Sequence, residues 1–131
     1  MDERYEKGLK LRGQVLGGTQ VASRVSKAQG TVSASLQEHL TSFVWGDIWA
    51  REGLGLRERS MVTVAMLTAL KSEVELRTHV KAAIGNGVTV QEIEEILLHS
   101  AAYTGFPSAM AAFRIAREAL AELEAANAAA E

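Results

Sequence analysis

Cysteine is absent from the 131 residues, which excludes disulfide bridges, thiolate metal sites and thiol redox catalysis. Proline occurs once, at Pro107, so little in the chain interrupts regular backbone hydrogen bonding. No apolar run approaches the roughly 20 residues needed to cross a bilayer. The amino terminus, MDERYEKGLKLRG, is charged throughout. It has neither the apolar centre of a secretory signal nor the acid-poor character of a transit peptide, which predicts a cytoplasmic protein. Neither sign of charge dominates, since 14 Lys and Arg stand against 16 Asp and Glu for a formal −2. The basic residues are dispersed among acids, so there is no footprint for nucleic acid and no expected membrane partner. Metal binding would need three or four converging ligands, and no H-E-x-x-H or equivalent is present. Gly53 and Gly55 lack the strand-to-helix context of a phosphate-cradling loop.

What remains is a helical pattern. Hydrophobic residues make up 47% and charged residues 23%, with a mean hydropathy of +0.02, as in soluble globular proteins. The length suits one domain over 1–131, with a flexible Ala/Glu tail from about residue 123. The apolar spacing predicts helices over 2–16, ended by Gly17-Gly18, and over 21–29. In 31–49, Val32, Leu36, Leu40, Phe43 and Val44 fall on one stripe that continues to Trp45, Ile48 and Trp49, before REGLGL breaks it. Residues 56–71 are apolar nearly all round after the first turn, so this helix is expected to be buried on most sides, centrally or under a neighbouring subunit. Further helices follow from Ser72 to a left-handed cap at Asn86-Gly87, from the capping sequence Thr89 to Glu92, and from about Pro107, where Met110, Phe113 and Ile115 are expected to pack. No strand is expected. The fold class is all-α, with its densest core after Leu56.

The most informative stretch is SEVELRTH, residues 72–79. Glu75 and His79 are four apart and share a helix face, the spacing for a carboxylate that orients or exchanges a proton with an imidazole. Ser72-x-x-Glu75 is also a capping-box sequence, and an isolated histidine among Leu76, Val80 and Ala83 is commonly a hydrogen-bonded core residue. Both readings stand at this level. His39 and His99 have no acidic partner placed to recruit them. In WGDIW, Trp45 and Trp49 either line a pocket or anchor a core or interface.

The segments WGDIWAREGL, RSMVTVAMLTAL, ELRTHVKAAIGNGVT, EIEEILLHSAAYTGFPSA and AAFRIA resemble, in order and spacing, the carboxymuconolactone decarboxylase family, most closely its 4-carboxymuconolactone decarboxylase branch. The most specific part is His79, Ala83 and Gly87 in H-x-x-x-A-x-x-x-G, followed by Val88-Thr89. Related alkylhydroperoxidases carry C-x-x-C-x-x-x-H in this register, where this chain has Ser72, Glu75 and His79. The dithiol chemistry is therefore closed to it. The chain departs from the branch in YTGFPSAM, with Thr104 for cysteine and Met110 for asparagine, and in Phe43, where tyrosine or histidine is common.

The resemblance implies a compact helical bundle assembling into trimers or hexamers, and a cofactor-independent decarboxylase acting on a small anionic lactone. It implies Glu75 and His79 as the catalytic pair. Arg59 is the candidate carboxylate anchor, its alternative being an ion pair with Glu58 or a neighbouring acid. Trp45, Tyr103 and Ser72 are candidate substrate contacts.

Overall fold

The computed structural model describes residues 2–131, and among them all regular structure is helical. The chain divides into two compact units, one ending at Gly55 and one spanning Leu56–Glu131.

In the first unit, α1 (Glu3–Leu16) opens on Asp2, whose carboxylate accepts the Tyr5 N–H at 2.8 Å, and stops at Gly17, where φ is 102°. Its buried face is Tyr5, Gly8, Arg12 and Val15. The next helices are α2 (Gly18–Ala28) and the short α3 (Ala34–Leu40), which runs into a nine-residue π-helix, Thr41–Trp49. α1 lies against the π-helix with backbone almost touching backbone. A Cβ on Gly8 would collide with the Thr41 carbonyl oxygen and stand 2.8 Å from the Gly46 nitrogen, and one on Gly46 would collide with the Arg4 carbonyl oxygen.

The expected stripe is not buried as one face of the unit. α3 buries none of its residues, Val32 is 94% exposed, and Leu36 and Phe43 are exposed too. The π-helix instead buries Thr41, Ser42, Trp45, Gly46 and Trp49. Its wider turn, closed by bonds one residue longer than in an α-helix, rotates every later side chain away from its expected position. In this segment Trp45 and Trp49 stack with centroids 4.6 Å apart and planes 25° from parallel.

The second unit holds the larger apolar core. It contains α4 (Leu56–Leu70), α5 (Glu73–Gly85), α6 (Val90–Thr104) and α7 (Phe106–Ala130). Val64, Leu76, Val80, Ile93, Leu97 and Ile115 centre the core. Of the two positions expected for α4, the central one is not adopted, because within the unit the helix is buried on one face only. Its buried face is Ser60, Val64 and Thr68, while Val62, Met66 and Leu70 are exposed. The buried hydroxyls are satisfied, since Thr68 donates to the Val64 carbonyl at 2.9 Å and Ser60 accepts from Asn86 at 2.9 Å. Val62, Met66 and Leu70 thus form an apolar stripe of α4 that faces away from the unit's own core.

α5 and α7 are joined along their exposed edges by ion pairs. Glu73 meets Arg114, Arg77 meets Glu118 and Glu122, and Lys81 meets Glu122. This i, i+4, i+8 stripe of α5 lies on the far side of the helix from Glu75 and His79. The helix α7 continues to Ala130, as its Ala/Glu composition allows. One detail of it corrects the sequence reading. Met110 is exposed, whereas Ile115 is buried and Phe113 partly so.

Candidate active site

The turn between α4 and α5 builds the start of the site. The Ser72 N–H donates to the Leu67 carbonyl at 3.0 Å and the Lys71 N–H to the Thr68 carbonyl at 3.2 Å, a Schellman ending with Lys71 at φ 58°. Ser72 is then the N-cap of α5, yet its side chain accepts no cap hydrogen bond. Its N–H, the donor that a capping-box glutamate would need, is already committed to Leu67. The cap reading of Ser72 and Glu75 is thus not the geometry the chain adopts. The second such sequence does close, with Thr89 N–H to Glu92 and Glu92 N–H to Thr89 both at 3.0 Å.

Ser72, Glu75 and His79 share one face of α5 at its amino-terminal end, where unsatisfied N–H groups favour negative charge. The Glu75 carboxylate is exposed, and His79 is half-buried with Nδ1 out of solvent. Arg59, on the second turn of the neighbouring α4, is half-buried. Glu58, its suggested ion-pair partner, lies 3.3 Å from Arg57. Arg57 also pairs with Glu92. The Thr89 backbone N–H first, and the Arg57 guanidinium second, hold the Glu92 carboxyl below the usual carboxylate range.

The other two candidates are placed differently. Tyr103 lies at the end of α6, 79% exposed, its ring 5.2 Å from that of His99. Trp45 belongs to the first unit and is 4% exposed, stacked on Trp49. Between α4 and α6 runs an open, mainly apolar groove of about 710 Å³, walled by Met61, Val62, Ala65, Ile96, Leu98 and His99. None of the six predicted site residues lines it.

Sequence reasoning passed over Arg12. This arginine sits on the buried 5, 8, 12, 15 face of α1 and is only 3% exposed. Its signal was there, as a cation on the apolar spacing of an amphipathic helix.

The class of protein is thus a small all-α one, with Glu75 and His79 on the opening turns of one helix. The chain belongs to the carboxymuconolactone decarboxylase family, whose sequence model matches residues 34–118. It is 39% identical over 122 residues to the 4-carboxymuconolactone decarboxylase of Acinetobacter baylyi, covering 93% of this chain and 90% of that one. It is 35% identical over 116 residues to the nitrosuccinic acid decarboxylase of Metarhizium robertsii, covering 88% of this chain and 80% of that one.

Proposed function

We propose that the protein is a cofactor-independent carboxy-lyase that converts 4-carboxymuconolactone to the 3-oxoadipate enol-lactone in the cytoplasm, as a step of protocatechuate breakdown. The observation that carries this reading is the placement of Glu75 and His79 one turn apart on α5, outside any capping box, in a chain 39% identical to a decarboxylase of that lactone.

The chemistry asks little of a protein beyond placement. Breaking the bond to the carboxylate releases carbon dioxide, and the electron pair flows through the ring alkene into the lactone carbonyl. The resulting dienolate is then protonated on carbon. The protein must hold the departing carboxylate where water is scarce, stabilise charge on the lactone oxygen and deliver one proton. His79 is the proton donor or oxyanion partner, and Glu75 orients it and sets its protonation. Arg59 anchors a carboxylate through paired hydrogen bonds, while Ser72 and Tyr103 contact the substrate.

The active form is a homo-trimer or homohexamer of one-domain subunits. In support, the stripe Val62, Met66 and Leu70 of α4 is apolar and exposed, and an assembled copy would remove it from water.

A second reading keeps decarboxylation and changes the acid. Its support is the 35% identity to a nitrosuccinic acid decarboxylase and the departures at Phe43, Thr104 and Met110 from the lactone branch. The Thr104 hydroxyl is taken up by the Ser100 carbonyl at 2.8 Å, and Met110 is exposed. Incubating the purified chain with 4-carboxymuconolactone and, separately, with nitrosuccinate while following carbon dioxide decides between them. Release from neither would leave a related lactone or oxo-acid as substrate, or a non-catalytic helical oligomer.

A further inference from the structure

Within the second unit, α4 and α5 form an antiparallel pair whose register is fixed at both ends. The Ser72 N–H on the Leu67 carbonyl closes the turn. At the far ends Asn86 donates to Ser60 at 2.9 Å, and a Cβ on Gly87 would stand 4.0 Å from the Arg57 side chain. Ser72, Glu75, His79, Ala82 and Asn86 follow one another at steps of three and four, so they form one stripe of α5, and the Asn86 bond shows that this stripe borders α4. A helix turns about 100° per residue. Met61 and Ala65 line the groove toward α6, so Arg59, on the other side of Ser60, falls on the flank of α4 that borders the stripe. Arg57, two residues earlier, is taken up by Glu92.

The register sets a distance. Arg59 stands at the level of Asn86, and the rise from His79 to Asn86 is about 10 Å along α5. Each side chain also leaves its backbone toward its own helix amino terminus, and in an antiparallel pair these directions diverge. The guanidinium and the imidazole are thus placed for opposite ends of a small substrate rather than for one atom of it. In 4-carboxymuconolactone the departing carboxylate and the acetate arm sit on one ring carbon, and the lactone carbonyl lies across the ring. As the bond to the departing carboxylate breaks, its electron pair passes through the alkene to the carbonyl oxygen, and a proton then goes to the carbon beside that carbonyl. With His79 at the carbonyl end, both carboxylates fall to Arg59, and charge decides between them. The departing carboxylate loses its charge on the way to carbon dioxide, so a guanidinium on it would stabilise the substrate more than the transition state and slow the step. The acetate keeps its charge throughout.

We propose that Arg59 is the specificity-determining residue for the arm that stays: it binds the acetate carboxylate through paired hydrogen bonds and keeps off the carboxylate that departs. The site then selects a lactone that carries an acidic arm on the carbon losing carbon dioxide. This rests on the reading of the chain as a decarboxylase of 4-carboxymuconolactone with His79 at the carbonyl.

Muconolactone is the probe, because it carries the acetate arm and has a hydrogen in place of the departing carboxylate. Its methyl ester, uncharged on the arm, is the control for a disturbed site. In Arg59→Gln the KM for 4-carboxymuconolactone and the inhibition constant of muconolactone should rise together, by roughly 10- to 100-fold, with kcat within about threefold of the parent's and the ester inhibiting both proteins alike. Arg59→Lys, which keeps the charge and loses the fork, should fall between them, and it carries the comparison should Arg59→Gln fail to fold. A muconolactone inhibition constant that does not move overturns the proposal; a KM that rises alone would put Arg59 on the departing carboxylate. A loss confined to kcat, or an ester weakened as much as the acid, overturns it too. A parent chain that releases no carbon dioxide from the lactone counts against the proposed substrate instead. Calorimetric binding of muconolactone then still decides the arginine: a Kd weakened in Arg59→Gln supports the contact, and equal binding, or none in the parent, overturns it.

Discussion

Lys71 and Gly87 end successive helices with the same pair of backbone hydrogen bonds, and only one of them is a glycine. Val88 N–H to Ala83 at 2.9 Å and Gly87 N–H to Ile84 at 3.1 Å repeat the pattern that Ser72 and Lys71 make at the end of α4. Gly87 holds φ 95° without a Cβ to strain, whereas Lys71 holds φ 58° with one. Lys71→Gly should therefore raise stability by about 1 kcal/mol, read as a higher urea midpoint at unchanged slope. A lower midpoint would show that Lys71 contributes through its side chain more than its backbone costs.

Gly46→Ala tests the contact between α1 and the π-helix. The added methyl meets the Arg4 carbonyl, a backbone atom that cannot swing aside, so the helices must separate. Overpacking of this kind costs about 2 to 3 kcal/mol. A midpoint close to the parent's would mean that the two backbones have more room than described.

For the catalytic pair, Glu75→Gln and His79→Gln should each lower kcat by roughly two to four orders of magnitude while circular dichroism and mass stay as in the parent. Thr89→Ala is the control for cap loss. It opens the capping box that does form, should cost about 1 kcal/mol, and should leave turnover near the parent's. Near-parental rates in both site variants, on a substrate the parent turns over, would remove the pair from the chemistry.

Assembly is tested on the outward stripe of α4. Light scattering should give the parent the mass of a trimer or hexamer, and Met66→Asp, at a position 59% exposed in the lone chain, should lower it without unfolding the helices. A parent that runs at the mass of one chain would refute the assembly.

Acid should weaken the chain in part through Glu92 and Glu122. Glu92 is held charged by the Thr89 N–H and Arg57, and Glu122 by Lys81 and then Arg77, so both titrate lower in the folded chain than in the unfolded one. A carboxyl lowered by folding contributes fully above its unfolded value, and the contribution disappears as pH falls through the folded one. Between about pH 6 and pH 3, Tm should therefore fall less steeply in Glu92→Gln than in the parent. Equal slopes would mean that Glu92 titrates alike in both states.

The two S/T-x-x-E sequences show how far local pattern reaches. Ser72-Glu75 and Thr89-Glu92 look alike, but only the second closes a box. The difference lies in the preceding chain. Ser72 directly follows Lys71, and the Schellman ending of α4, through the Leu67 carbonyl, claims the N–H that Glu75 would need. The alignment of Glu75 with His79 was legible because it follows from helical spacing alone. The use of Ser72 depended on a bond to another helix.

The absence of cysteine and the near absence of proline, the 3.6-residue spacing, and the glycines at 17, 87 and 105 determined an all-helical chain, most of its helix limits and the face shared by Glu75 and His79, because these depend on residues within a turn or two of one another. The π winding of 41–49, the burial of Arg12, and the inward turn of Ser60 and Thr68 with Met66 left outside were decided by the tertiary structure. Each depends on what packs opposite: Gly8 against Gly46, Gln37 and Thr41 around a guanidinium, Asn86 on Ser60. Periodicity measures how apolar a face is. It carries no record of which surface will meet that face.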